Sequence, residues 1–390
     1  MQKSKTAKAK VIGDSSKAFQ ANWRNILTLI PIQVVGLTAW PIYLAFGGEV
    51  HLPEVLVFLF MYAFSALGIC VGYHRGFCHR SFRMSKLMKF FALFSGSSVP
   101  EGSAVTWCAD HRRHHRYEDT EKDPYNVRRS FWWAHMGWIL GSPSTTDFSN
   151  CNDLAKDPMV QNQDRYYTLW FIVSCFLFPL CLGFLVGRPI ATFLLAGFFR
   201  AAMVQQFTFL INSYAHYFGR KPYSEKITAK DSLVCAVLAS GEGWHNYHHR
   251  FPFDYRNGHR FYHWDPAKWL IFLGQFVGLT HDLKRTPQAQ IYKARLETQR
   301  DKVLAPSDRF VALTETVEQA LQKWQGISLE WSALKKLKAE DFDQGLQHLK
   351  ERLHLSKEEF QVVYSEWKCS FREYMRSARN KMANNPAKLA

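Results

Sequence analysis

The sequence lacks several of the patterns that assign a protein quickly. None of its eight cysteines forms a Cys-x-x-Cys pair, so we expect neither a disulfide framework nor a zinc ribbon. It has no internal repeat and no low-complexity tract. Aromatic residues make up 15% of the 390 residues, which excludes a disordered chain and is not the composition of a simple nucleic-acid-binding protein. The chain does have an excess of positive charge, +16 in all, which suits an anionic partner such as a membrane surface.

The charge is unevenly distributed, and four stretches are almost free of it. A membrane-spanning helix needs about 20 mostly apolar residues, and the stretches that meet this requirement lie at about 26–46, 55–73, 167–187 and 190–211. The second has no charged residue, whereas the fourth carries Arg200, Gln205 and Gln206. Because charge is costly against lipid, we expect Arg200 to face the interior of a helix bundle. The sequence therefore predicts an all-α integral membrane protein with four spans in two hairpins.

Basic residues indicate how the spans are oriented. Residues 1–25 and the long segment between the second and third spans are rich in Lys and Arg, but the connection after the first span has neither. This pattern predicts that both termini and the long segment are cytoplasmic. The first apolar run starts after residue 25 without a small-residue cleavage site, so we expect no cleavable signal. The predicted organisation is a basic N-terminus at 1–25, a four-span domain at 26–285 and a cytosolic helical extension at 286–390.

Three tight clusters hold eight of the 16 histidines. They are the HxxxxH at His74 and His79, and two HxxHH motifs at 111–115 and 245–249. Offsets of three and four place side chains on one face of a helix, and Asn212 has the same relation to His216 at the end of the fourth span. All four features lie where a predicted span meets the cytoplasm. Nine imidazoles are too many for one metal ion and suit two, held in a cytosolic helical cap. Ligand type alone leaves Zn, Cu, Fe and Ni open.

These motifs resemble the membrane-bound fatty acyl-CoA desaturases of the stearoyl-CoA type. The resemblance extends from the first span to Arg285, about two thirds of the chain. It depends on the following segments: Gly-Tyr-His74-Arg-Gly-Phe-Cys-His79-Arg-Ser-Phe, Asp110-His111-Arg-Arg-His114-His115-Arg, Asp123-Pro-Tyr-Asn126, Asn212-Ser-Tyr-Ala-His216, Gly241-Glu-Gly-Trp-His245-Asn-Tyr-His248-His249 and Phe251-Pro-Phe-Asp-Tyr-Arg-Asn-Gly258.

The resemblance implies a non-haem di-iron centre that uses O2 and two electrons to insert a cis double bond into a long saturated acyl chain, usually at C9–C10. Asn212 matches the family's water-mediated ligand. The nine histidine ligands of the family match His74, His79, His111, His114, His115, His216, His245, His248 and His249. Carboxylates near these histidines are candidates for orienting the imidazoles; they are Asp110, Glu118, Asp231 and Glu242.

The substrate is expected to be a long-chain acyl thioester. Arg128 and Arg129 match the family's basic pair that meets the phosphates of CoA, and the guanidinium fork suits phosphate. Many family members have Arg where this chain has Ala109, which leaves an acyl phospholipid or an acyl-carrier protein open as the acyl carrier. Trp107 and Trp244, each close to an HxxHH motif, are candidates for the wall of a tunnel that fixes the bond position by geometry.

Electrons must come from outside the chain. The sequence has no His-Pro-Gly-Gly haem motif, no Gly-x-Gly-x-x-Gly fingerprint and no ferredoxin cysteine pattern. A basic cytosolic face would suit an acidic donor, either a ferredoxin or cytochrome b5 with a reductase. With no fused donor and no endoplasmic-reticulum retrieval signal, we expect a bacterial cytoplasmic membrane rather than the endoplasmic reticulum.

Two other functions remain alternatives. A membrane fatty-acid or alkane hydroxylase would use the same superfamily chemistry, although the third histidine motif and the segment after it favour a desaturase. A histidine-rich metal transporter would place ligands within the spans to line a path. The second predicted span has no such residue, and the histidines lie at the cytosolic ends.

Overall fold

The structure is a computed structural model that describes residues 19–141, 147–304, 306–334 and 343–383. Most of the predicted basic N-terminus lies outside these residues. The chain divides into two compact units, one made of Met1–Lys221 and Lys226–Arg285, the other of Pro222–Glu225 and Thr286–Ala390. Each unit is described by itself.

Among its described residues, the first unit has four helices that are long and apolar enough to cross a membrane, as predicted. We call them spans 1 to 4, and they run over Trp23–Ala45, Leu52–Cys78, Tyr167–Leu185 and Pro189–Tyr217. Span 1 is the helix α1 (Trp23–Ala45), and the side chain of Asn22 caps its start by accepting from the N–H of Asn25 at 3.2 Å.

Span 2 reaches further than the apolar run predicts. Helix α2 (Leu52–Leu67) continues as a π-helical segment over Gly68–Cys78, so His74 is helical rather than the first residue of a loop. After the strand β1 (Arg83–Met84), helix α3 (Lys86–Gly96) packs against this segment. The two helical segments approach each other closely where Gly68 meets Gly96, because a Cβ on Gly68 would lie only 2.4 Å from the backbone nitrogen of Gly96.

A mostly buried loop at 97–103 separates α3 from helix α4 (Ala104–Tyr117). Side chains from other elements satisfy its backbone. Arg200 donates to the carbonyl of Ser98, and the Gln205 amide donates to the carbonyl of Pro100 at 2.7 Å. Arg200 therefore does face the bundle interior, as expected. The irregular backbone of the loop is tolerated because it is buried in protein and its carbonyls accept hydrogen bonds from these side chains.

The rest of the first unit is also helical. A π-helical turn at Trp133–Gly137 leads to α5 (Trp138–Leu140), two 3-10 turns follow at Ser149–Cys151 and Leu154–Lys156, and α6 is Pro158–Arg165. Span 3 consists of α7 (Tyr167–Ile172), a π-helical turn at Val173–Leu177 and α8 (Phe178–Leu185). Span 4 consists of α9 (Pro189–Thr192), a π-helical segment at Phe193–Phe199, α10 (Arg200–Asn212) and α11 (Tyr214–Tyr217).

Three short helices follow span 4 in the first unit. They are α12 (Leu233–Leu238), α13 (His245–Arg250) and α14 (Pro266–Phe276). The strand β2 (Thr280–His281) then pairs antiparallel with β1, with Arg83 opposite His281 and Met84 opposite Thr280. This ladder of two residues per strand is an addition to the all-α prediction.

The described residues of the second unit form three helices, α15 (Gln288–Arg300), α16 (Asp308–Leu334) and α17 (Asp343–Ala383). Its core is aromatic: Phe310, Trp324, Phe360 and Trp367 are buried together. The Trp367 indole also donates to the hydroxyl of Thr314 at 2.8 Å.

Candidate metal centre

All nine histidines that the sequence singles out lie together in two neighbouring groups. Within each group, one ligand atom per residue lies within 4.8 Å of the others. The groups are almost in contact, because the rings of His115 and His249 stack at 4.2 Å. The first group is His74, His79, His111, His115 and His248, and the second is His114, His216, His245 and His249.

The two HxxHH helices each contribute to both groups. In α4, His111 and His115 belong to the first group and His114 to the second. In α13 the division is reversed, since His248 belongs to the first group and His245 and His249 to the second. The offsets predict a shared helix face correctly, but that face lies across both groups rather than over one of them.

The π-helical end of span 2 explains the HxxxxH spacing. A π-helix bonds residue i to residue i+5, and the N–H of His79 donates to the carbonyl of His74 at 3.0 Å. The two rings therefore lie on one side with their centroids 4.7 Å apart. In an ordinary α-helix an offset of five would point them apart.

The Nδ1 atoms of several imidazoles face oxygen atoms outside the groups. Nδ1 of His74 is 2.7 Å from Glu242, that of His114 is 2.8 Å from Asp123, and that of His249 is 2.9 Å from Glu118. When Nδ1–H donates to an oxygen, the lone pair of Nε2 is left free to bind a metal. The Nε2 atoms do converge: those of His74 and His248 are 3.0 Å apart.

His216 uses a relay for the same purpose. Its Nδ1 lies 2.7 Å from the hydroxyl of Thr228, which donates to a carboxylate oxygen of Asp119 at 2.5 Å. Asp119 has a positive φ of 61°, in the left-handed region that is uncommon for residues other than glycine. The sequence does not reveal this pair, because the two residues are 109 positions apart.

The carboxylates expected near the histidines differ in where they lie. Glu242 and Glu118 contact imidazoles, as described above. Asp110 instead lies 4.0 Å from Arg113 on its own helix, and Asp231 accepts from the backbone N–H of Tyr247 at 3.1 Å, near the start of α13. Asp123 was not predicted as an imidazole partner, although the Asp-Pro-Tyr-Asn segment was singled out.

Burial sets the protonation of most of the imidazoles. Burial, reinforced by neighbouring imidazoles, holds the pKa well below the ordinary value for His79, His111, His115, His245, His248 and His249. These rings are therefore neutral and have lone pairs to offer. His114 is different: burial lowers its pKa, but the Asp123 carboxylate outweighs burial and the pKa is raised.

The two groups fit a pair of metal ions. The Nε2 atoms of His79 and His114 are buried and have no hydrogen-bond partner among the described residues, which is unusual for buried nitrogen atoms. No cysteine belongs to either group in the part of the chain described, so the site does not have the thiolate ligands of most structural zinc sites. Neutral imidazole suits iron, among other metals.

Glu242 connects this centre to a buried charge network. One of its oxygens accepts from Nε and Nη2 of Arg75 at 3.1 and 2.9 Å, and the other accepts from the side chain of Asn257 at 2.5 Å. Burial alone would raise the pKa of Glu242, but Arg75 and His74 lower it to about 2. Arg75 also contacts Asp265 at 2.9 Å, so its charge is shared by two carboxylates.

A mainly apolar cavity opens beside the two groups. Its polar lining residues are His74, Glu101, His111, Tyr125, Thr208, Asn212, Glu242 and His245. Apolar side chains form most of the remaining wall, among them Ala66, Ile69, Trp138, Ile139, Val204, Phe207, Phe209, Ile211 and Leu238. Asn212 therefore reaches the same space as His245. Asn212 ends α10, however, and the chain turns at Ser213 before His216. Asn212 and His216 therefore do not share one unbroken α-helix.

The two candidate tunnel tryptophans differ. Trp107 lines the cavity, stacks on His111 with centroids 4.7 Å apart, and donates from its indole to Glu101 at 3.0 Å. Burial raises the pKa of Glu101 to about 7. Trp244 is not among the residues that line the cavity: its ring stacks on His263 at 3.9 Å and its indole donates to the carbonyl of Trp264. The role of Trp244 in a tunnel wall stays a prediction.

The expected phosphate-binding arginines lie at the surface. Arg128 and Arg129 are both exposed, in the segment before the Trp133–Gly137 turn. The guanidinium of Arg129 lies 3.4 Å from the ring centre of Trp133. Ala109, the position where relatives often have Arg, is buried in α4. An arginine there would need a different local packing.

Comparisons with known proteins agree with this site. The family model described as "Fatty acid desaturase" matches residues 49–274. The chain is 39% identical to "Acyl-CoA desaturase 1" of Saccharomyces cerevisiae over 288 residues, which cover 72% of this chain and 55% of that protein. It is 39% identical to "Probable acyl-CoA desaturase" of Schizosaccharomyces pombe over 285 residues, covering 72% and 59%. It is 34% identical to "Delta(9)-fatty-acid desaturase fat-6" of Caenorhabditis elegans over 239 residues, covering 59% and 70%.

The chain spans only 55% and 59% of the lengths of the two yeast relatives. All three relatives are eukaryotic, so the comparisons give no support to the expected bacterial cytoplasmic membrane.

Proposed function

We propose that this chain, which belongs to the fatty acid desaturase family, is a membrane enzyme that inserts a cis double bond into a long-chain saturated acyl thioester, with delta-9 as the bond position. The reaction consumes O2, two electrons and two protons, removes two hydrogens from adjacent methylenes and releases two molecules of water. The observation that carries the proposal is the opening of an apolar cavity onto both histidine groups, through His74 and His111 of the first and His245 of the second.

We assign two iron ions to the two groups, with the nine histidines as ligands and Asn212 holding a water. When bound, the iron pair supplies the oxidant that an unactivated methylene requires, because no side chain can do so. Glu242, Asp123, Glu118 and the Thr228–Asp119 relay hold Nδ1 atoms and so aim the Nε2 lone pairs at the metals.

The protein's other task is to decide which methylenes react. All methylenes of a saturated chain are chemically alike, so the selection must be geometric. Trp107 is in the right place for this role, since it forms cavity wall and packs on His111 and His74. The apolar wall also excludes water from the reacting carbons.

The acyl carrier, the electron donor and the topology complete the proposal. We assign acyl-CoA as the substrate, with Arg128 and Arg129 meeting its phosphates at the protein surface. The electrons come from an external acidic protein, a ferredoxin or cytochrome b5 with its reductase. Both termini lie in the cytoplasm, and residues 286–390 form a separate helical domain on that side.

The test is expression in a host that lacks its own desaturases, followed by gas chromatography–mass spectrometry of total fatty acids. A new monounsaturated acid should form, and derivatisation should place its bond. His114→Ala should abolish the product. His281→Ala, at an exposed histidine outside both groups, is the matched control and should retain it.

Two outcomes would overturn the proposal. A hydroxy acid as the product would move the protein to the hydroxylase branch. No product, even with ferredoxin or cytochrome b5 and a reductase supplied, would exclude the enzyme assignment.

A further inference from the structure

Helix α14 has an outer face that is almost entirely apolar. Trp269, Phe272, Leu273 and Phe276 of the helix, and Val277 directly after it, are 39% to 72% exposed. Apolar patches of this kind on a water-facing helix mark an interaction surface.

The one charged side chain of α14 points away from that face. Lys268 is buried, and its ammonium donates to the carbonyls of Gly258, Arg260 and His263 at 2.7, 2.6 and 2.9 Å. The outer face of α14 therefore carries no charged side chain, unlike the outer face of a helix that faces water.

The inner face of α14 packs on the end of span 2. Ala267 and Ile271 are buried in one cluster with Cys70 and Val71. With 11 residues, α14 is about 16 Å long, which is too short to cross an apolar layer of about 30 Å. It lies beside a span without being one.

Helix α3 extends the same surface. The β1–β2 ladder joins the start of α3 to the end of α14, and the N–H of Ser85 donates to the carbonyl of Leu279 at 2.9 Å. Leu87 and Phe90 of α3 are exposed. The Phe90 ring lies 5.7 Å from Trp170 at the start of span 3, so the exposed faces of α3 and α14 are continuous with the surface of the spans.

Basic and aromatic side chains border this surface. Arg285 lies with its guanidinium 5.8 Å from the ring centre of Phe272, and Arg83 is exposed beside the ladder. Tyr262 and Trp264, just before α14, are also exposed. Trp, Tyr and basic residues around an apolar face are typical of helices at a membrane–water interface.

We propose that the exposed faces of α3 and α14 form one lipid platform, which lies flat in the interface of a phospholipid bilayer at the histidine-bearing end of the spans. Continuity with the spans and the basic, aromatic border favour lipid over a protein partner. The lipid platform does not depend on the reaction assigned above.

The test is fluorescence quenching of the full chain in phosphatidylcholine nanodiscs. The exposed cysteines are replaced (Cys181→Ser, Cys369→Ser), and the other six are buried. A polarity-sensitive fluorophore is then attached to the one cysteine introduced in each of four variants: Leu273→Cys or Leu87→Cys on the lipid platform, Leu59→Cys on the exposed side of span 2, or Glu121→Cys in an exposed loop. The quenchers are a lipid with a nitroxide high on its acyl chain and aqueous iodide.

Both lipid-platform variants should be quenched by the nitroxide lipid at least as strongly as Leu59→Cys, and at least threefold less by iodide than Glu121→Cys. Iodide quenching of Leu273→Cys equal to that of Glu121→Cys would overturn the proposal. Protection from both quenchers would also overturn it, and would identify a covering protein or a second copy of the chain. Lipid contact at Leu87 alone would contradict a single surface.

Discussion

Replacing Glu242 by Gln tests the link between the metal centre and the buried charges. The substitution keeps the shape of the side chain but removes its charge. It also replaces one of the two oxygens, which face Arg75 and His74 respectively, by an NH2 group that cannot accept a hydrogen bond. Loss of a partner that orients a ligand typically lowers metal affinity by about 10- to 100-fold. Breaking a buried ion pair costs about 3–5 kcal/mol. Since Asp265 still pairs with Arg75, we expect the free energy of unfolding to fall by about 3 kcal/mol, the lower end of the range for a buried ion pair.

The assay has two readouts on the purified protein: apparent iron affinity by competition with a chelator, and the free energy of unfolding from thermal or denaturant melts. The matched control is Asp282→Asn, which neutralises an exposed carboxylate paired with Arg83 at 2.6 Å. Such surface pairs contribute about 1 kcal/mol or less, and asparagine tolerates the positive φ of 51° at this position. Iron affinity within twofold of wild type for Glu242→Gln would refute the role assigned to the carboxylate.

Three further substitutions probe other parts of the site. Asp123→Asn removes the carboxylate that faces His114, so iron bound per protein should fall from two toward one when the free metal is limiting; an unchanged stoichiometry would contradict separate sites. Glu101→Leu frees the indole N–H of Trp107 and should change the position of the double bond, measured by mass spectrometry, while Glu101→Gln keeps the acceptor and the wild-type product. Arg200→Met leaves buried carbonyls unpaired at about 1–3 kcal/mol each, so the unfolding midpoint in detergent should drop.

The sequence predicts the spans well because long apolar runs are a strong signal. It places the end of span 2 too early, at residue 73, where apolar residues give way to His74 and Arg75. The helix continues because these polar side chains are buried and satisfied by partners, among them Glu242 and Asp265, that are far away in the sequence. A hydropathy profile contains no information about such distant partners.

The histidine motifs reveal the ligand candidates but not their arrangement. Spacing gives a shared helix face, whereas the division of each HxxHH between two groups depends on how α4 and α13 cross. Trp244 illustrates the same limit, because its neighbour His245 reaches the cavity while its own ring stacks on His263. Adjacent residues on a short helical turn point in different directions, so proximity in sequence does not by itself give the orientation of a side chain.

The loop at 97–103 explains why polar residues lie inside the spans. Such residues are costly in lipid, and here Arg200 and Gln205 donate to carbonyls of this loop. The loop ends next to α4, and it presents Glu101 to the cavity, where the carboxylate holds Trp107 against His111. A chain of contacts thus runs from span 4 through the loop to the wall beside the metal groups. Under the proposed function that wall fixes the position of the new double bond, so substitutions at Arg200 that preserve folding should change product positions as well as stability.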